Sequence, residues 1–233
     1  MRPSFALTAF MRRAAAALFI VAASAASSSA RQAPVPAAPV VGTEPSRPAA
    51  SSARADERRQ PYSAADVQFM SGMIPHHAQA VLIAGWAASH GARSDVRILC
   101  ERIVVGQRDE IALMRNWLRD RDQTVPDATA THMRMSMNGV QHDMLMPGML
   151  NEEQLAQLDR ARGPEFDRLF LTFMIKHHEG ALMMVEELLA SYGAAQDDVI
   201  FKFASDIVAD QSTEIDRMQK MLEGSSSDGR SPQ

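Results

Sequence analysis

Cys100 is the only cysteine in 233 residues, so no intramolecular disulfide can hold this chain together. It sits in an apolar helical run, ILCERIVV, where a thiol reads as a buried, inert small hydrophobe rather than a ligand or redox group. Stability must therefore come from an apolar core. A basic excess is missing too: Lys and Arg total 24 against 28 Asp and Glu. That balance disfavours nucleic acid as a partner and leaves room for a cationic ligand. No nucleophile constellation, Gly-rich phosphate loop or aromatic-basic surface is present, so no catalytic residue is named. Nothing reads as a strand. The one Ala-rich apolar stretch, Ala14–Ala26, is too short for a strong membrane span.

That stretch has another reading. Arg2, Arg12 and Arg13 precede it, and Ser28-Ser29-Ala30 follows as a small-residue cleavage site. Residues 1–30 thus read as a secretory signal peptide, with no stable membrane insertion after cleavage, and the protein as exported, periplasmic or secreted. Without the leader the Lys and Arg count falls from 24 to 21, and the net charge becomes −7. Residues 31–61, rich in Pro, Ala and Ser, read as a disordered spacer, and 224–233 as a disordered tail. The folded domain is expected over 62–223.

What is present in that domain is present twice. FMSGMIPHHA at 69–78 returns as FLTFMIKHHE at 170–179, and IVVGQRDEIALM at 103–114 returns as IVADQSTEIDRM at 207–218. The repeats, about 66–122 and 165–223, are each one helix pair. Four long helices are predicted, from Ser63 to Gly91, Ser94 to about Asp122, Pro164 to Gly193, and Asp197 to Gly224. A short helix at 151–162, capped by Asn151, lies between the halves. Apolar residues at 4,3,4,3 spacing on all four make seams, so the fold class is all-α, a four-helix bundle.

Polar residues interrupt those seams. His76, Gln107 and Glu110 in the first repeat, and His177, Gln211 and Glu214 in the second, fall at one height if the paired helices are antiparallel. His77 and His178 lie about 100° round from them, at the seam edge. A structural layer, each Glu bonded to a seam His, is one explanation. A metal site is the other. In carboxylate-bridged di-iron bundles a Glu stands three residues before each His; here Met73 and Met174 stand there. Thioether in place of carboxylate moves the preference from ferric iron to copper, above all Cu(I). The crossover between the halves, HMRMSMNGVQHDMLMPGM at 132–149, adds His132, Met133, Met135, Met137, His142, Met144, Met146 and Met149 as further candidate ligands, or as adaptable apolar filler. Asn-Gly and Pro-Gly mark part of it as loop.

MIPHH, MIKHHEGALMM and HDMLMPGML together resemble the exported family catalogued as domain of unknown function 305, over about residues 66–222. The resemblance implies a duplicated ferritin-like helix pair and, from some members, copper binding by His and Met residues. MIKHH departs from that family's usual MIPHH. The expectation is an exported protein that binds or sequesters copper, as Cu(I) and in part Cu(II). A ferritin-like metal oxidase and a metal-free helical interaction protein with a structural His-Glu layer are the alternatives.

Overall fold

The computed structural model describes residues 61–137 and 140–227, with the backbone alone for 133–137, 140–143 and 225–227. Helix α1 spans Ala64–Gly85 and α2 Ser94–Arg119. A short α3, Glu152–Arg160, precedes α4, Pro164–Ala190, and α5, Asp198–Ser227. The starts follow local chemistry. Ser63 and Asp66 form a reciprocal capping box on α1, and Asn151 and Gln154 form one on α3. Helix α4 opens on Pro164 instead, whose missing N–H would have been unpaired there in any case.

The ends depart from expectation. Helix α1 stops at Gly85 rather than Gly91, because its last bonds tighten: Trp86 N donates to Ile83 O and Ala87 N to Ala84 O. Helix α5 continues to Ser227, past Gly224. The crossover also contains two strands, where no strand was expected. β1, Met133–Met137, pairs antiparallel with β2, Val140–Met144, with Met133 opposite Met144 and Met137 opposite Val140. Asn138-Gly139 between them is a favoured two-residue hairpin connection, and the segments alternate as strands do.

The long helices pack as two hairpins, α1 on α2 and α4 on α5, joined through α1 and α4. Two separate apolar clusters fill the interior. One gathers Ile83, Leu99, Phe166, Phe170 and Met174; the other gathers Phe69, Met73, Met114, Ala181 and Ile200. Residues 146–150, after the hairpin, run across α1 and α4. At Gly180 a side chain is sterically excluded: a Cβ would lie 2.0 Å from the carbonyl oxygen of Pro147. Gly148 faces it, with φ of +77°, and a Cβ there would lie 2.3 Å from the carbonyl oxygen of Lys176. Gln79 completes the clamp, its amide donating to Leu150 O at 2.9 Å and accepting from Leu150 N at 2.7 Å.

Candidate metal centre

On α2, α4 and α5 the break between the two apolar clusters falls at the polar residues of the repeat: Gln107 and Glu110, His177 and His178, Gln211 and Glu214. On α1 it falls around His76, His77 and Gln79. The polar layer thus separates two apolar halves of the core. All four histidines are 0% exposed.

Their pairing differs from the expected one. The seam histidines do not meet the glutamates. His76 and His177 meet each other across α1 and α4, with ring centroids 3.9 Å apart and planes tilted by 43°. It is His77 and His178 that approach carboxylates. His178 Nε2 donates to Glu214 Oε2 at 2.7 Å. His77 Nε2 lies 2.8 Å from Glu110 Oε2, but off the line of a hydrogen bond. The reason is the 100° step between consecutive helical residues: the first histidine of each pair faces the α1–α4 seam, and the second faces its own hairpin partner.

These contacts fix protons. His76 Nε2 donates to Pro147 O at 3.0 Å, and since a carbonyl only accepts, its Nδ1 carries the lone pair. The same logic applies to His178 against an ionised Glu214. Nδ1 of His76, His77 and His178, and both ring nitrogens of His177, are buried without an aligned hydrogen-bond partner. Burial pushes the His76 imidazole down to about 3, reinforced by its neighbour His77 and opposed by the Pro147 carbonyl. Burial, then His76, His178 and His77, hold His177 well below its usual range too. Both stay neutral at ordinary pH, the form that ligates metals. Buried lone pairs without donors cost free energy, and they are the donor type a borderline or soft cation accepts. Among the described residues, however, no three His, Cys, Asp or Glu side chains converge tightly enough to chelate an ion.

Met73 and Met174 are fully buried in the two opposite apolar clusters. Of the crossover candidates, Met146 Sδ lies over Gly72 with the Met184 methyl beside it, Met149 is buried, and Met146 N donates to Met149 Sδ at 3.2 Å. Met144 is exposed. His132 lines a cavity of about 500 Å³ with Ser71 and Pro75 on α1. The side chains of Met133, Met135, Met137 and His142 lie outside the described residues. Sequence reasoning missed Gln79 and Gly180, and placed Met184 correctly on the buried seam of α4. Gln79 and Gly180 occupy aligned positions in the two repeats and differ, and that mismatch was the available signal. Cys100 is buried as expected, and desolvation, with Asp167 adding to it, pushes its thiol up to about 12.

Residues 66–222 match the family described as domain of unknown function, DUF305. No curated protein matches the chain in sequence. A DUF305 fragment from Deinococcus radiodurans is similar in structure, with 28% identity and a TM-score of 0.58 over 70% of this chain and 99% of that one. CopM in its Cu(II)-bound form is similar at 27% identity and a TM-score of 0.53, over 68% of this chain and 96% of CopM. Its Cu(I)-bound form gives 27% and 0.51 over the same shares. Among the described residues no helix is long and apolar enough to cross a membrane.

Proposed function

The chain belongs to the DUF305 family, and from that premise we propose that it is an exported protein that binds or sequesters copper through His and Met side chains. The observation that carries the reading is the set of buried imidazole nitrogens left without aligned partners on two facing helices. The likeness to CopM, whose solved forms hold Cu(II) and Cu(I), supports the choice of metal. In this reading His76 and His177 are the inner ligands. His77 and His178 present Nδ1 while Glu110 and Glu214 hold their other nitrogen, a carboxylate-histidine-metal arrangement that orients the ring and raises its basicity. Thioethers of the crossover and of Met73 and Met174 add donors suited to Cu(I). A four-helix bundle of ferritin-like layout, two repeated pairs with a Met-rich crossover, is the scaffold this proposal assumes. In this reading residues 1–30 are the signal peptide that directs export, and residues 31–61 are a spacer between it and the domain.

The test is direct. Elemental analysis of protein taken from its native exported compartment should find copper. His76→Ala combined with His177→Ala should then lose at least one copper equivalent with helical circular dichroism unchanged. Undiminished copper binding by that double variant would sink the site. A second reading, a metal-free interaction protein with a structural layer, is favoured by the close His178–Glu214 bond. It predicts no copper in the native protein and unfolding of the double variant without metal.

A further inference from the structure

Beside the strap of residues 146–150, between α1 and α4, opens a small pocket of about 70 Å³. Met146 of the strap and Met184 of α4 bring two thioethers to it, Phe69 and Leu188 supply hydrocarbon wall, and the exposed Glu187 lines it from α4. The two methionines meet over Gly72: a Cβ there would lie 3.1 Å from Met146 Sδ and 3.4 Å from the Met184 methyl. Met184 is buried and Met146 half-buried. Met149 Sδ, by contrast, is occupied as the acceptor of Met146 N at 3.2 Å. The other half of the molecule has no such pair. The positions aligned with Gly72 and Met184 are Phe173 and Ile83, both buried in hydrocarbon. An aliphatic side chain fills the equivalent core place there, so burial alone does not call for sulfur at position 184.

We infer that this pocket is a separate site for a soft monovalent cation, Cu(I) or Ag(I), held by the Met146 and Met184 thioethers without any imidazole. The identity of the ion rests on the copper reading above; the place and the donors do not. Size excludes an organic ligand, which needs about 300 Å³ or more, whereas this pocket takes an ion and about two waters at about 30 Å³ each. Donor type narrows the ion. Thioethers are soft and uncharged, so they favour Cu(I) over Cu(II), zinc or magnesium. The unbranched methionine chain lets both sulfurs turn toward one ion. Glu187 adds negative charge near a cation whose other surroundings are largely apolar. The site also adjoins the buried imidazoles: Met146 precedes Pro147, whose carbonyl oxygen is 3.0 Å from His76 Nε2.

The experiment titrates Ag(I) into the full chain, stripped of metal and labelled with carbon-13 in its methionine methyls, and reads nuclear magnetic resonance. Silver is the probe because it stays monovalent in air. The Met146 and Met184 methyl resonances should shift together, and should do so equally when His76→Ala is combined with His177→Ala. Zn²⁺ should move neither. Met184→Ile, which installs the side chain found at the aligned Ile83, should abolish the Met146 shift. Met146→Leu, at a half-buried position, should abolish the Met184 shift, and thermal unfolding checks that each variant is folded. Methyl resonances that Ag(I) leaves in place, a Met146 shift that survives Met184→Ile, or an equal response to Zn²⁺ overturns the inference. Loss of both shifts in the histidine variant assigns the thioethers to the imidazole centre and overturns the separate site. The two proposals fail apart. Silver held at Met146 and Met184, with no copper in the native protein, leaves this site standing without the copper reading. Copper lost with the histidines, and no silver shift at the methionines, leaves the copper centre standing without this site.

Discussion

The two repeats place the same histidines, glutamines and glutamates at the same height, yet treat them differently. In the first, His76 is tied to the Pro147 carbonyl and Gln79 clamps Leu150 at both its N–H and its carbonyl. In the second, His177 has no aligned bond at either nitrogen, and the position aligned with Gln79 is Gly180, over which Pro147 and Gly148 pass in contact. The aligned pair Gly72 and Phe173 differs in the same sense: only the glycine leaves room for the Met146 thioether. What the halves share builds the polar layer. Where they differ, they seat one crossover, which cannot sit symmetrically on a two-fold pattern. Duplication made the layer, and divergence fitted the strap over it.

The hardest way to break that division is Gly180→Ala. The added methyl collides with backbone rather than with a flexible side chain, so nothing inexpensive can move. A loss of more than about 4 kcal/mol, or release of the crossover, is expected. The aligned change Gln79→Ala should cost only about 2 kcal/mol, the loss of a buried two-bond amide contact. Urea denaturation of both variants, with limited proteolysis after Met144, measures the difference. Equal costs at the two positions would mean that the repeats seat the crossover alike.

The helices were legible because cap residues and 4,3-spaced seams are local signals: Ser63, Asn151 and Pro164 each open a helix where their chemistry says they should. The height of the polar layer was legible for the same reason, since rise per residue is fixed. Which histidine meets which glutamate was not. Consecutive residues differ by 100°, and the rotation of α1 about its axis is set by packing against both α2 and α4, which spacing alone does not encode. The hairpin was overlooked because unbranched methionines carry little strand propensity, although Met133, Met135 and Met137 alternate with Arg134 and Ser136 ahead of an Asn-Gly pair. The Gly180 contact depends on a segment distant in sequence, so no window around either glycine announces it.

Acid should separate the polar layer from the rest of the core. The unfolded imidazole of His76 titrates near 6.5 and the folded one near 3, with His177 shifted the same way. Between those values the unfolded chain binds more protons than the folded one, so stability rises with pH there. The contribution is complete above 6.5, declines below it, and levels off as pH passes the folded value. Each histidine supplies a slope of up to about 1.4 kcal/mol per pH unit. Metal-free protein should therefore lose a few kcal/mol between pH 6.5 and 4, measured by chemical denaturation at each pH. Replacing His76 and His177 by Gln should flatten the profile. An unchanged slope in that variant would assign the acid sensitivity to other groups.

The finest comparison is between the two carboxylates. Glu214 makes an aligned bond to His178, whereas Glu110 approaches His77 off-line at nearly the same distance. If these residues act by orienting imidazoles, the aligned one matters more. Glu214→Gln keeps the size and removes the charge that fixes Nε2–H and strengthens Nδ1 as a donor, so copper affinity should fall about tenfold. Glu110→Gln should cost less, because its histidine gains less orientation from it. Competition titration with a chromophoric copper chelator reads both variants, and thermal unfolding of each without metal controls for loss of structure. Equal losses would make the two halves equivalent sites despite their different geometry. A larger loss for Glu110→Gln would place the stronger site in the first repeat, on the side where His76 is already held by the crossover.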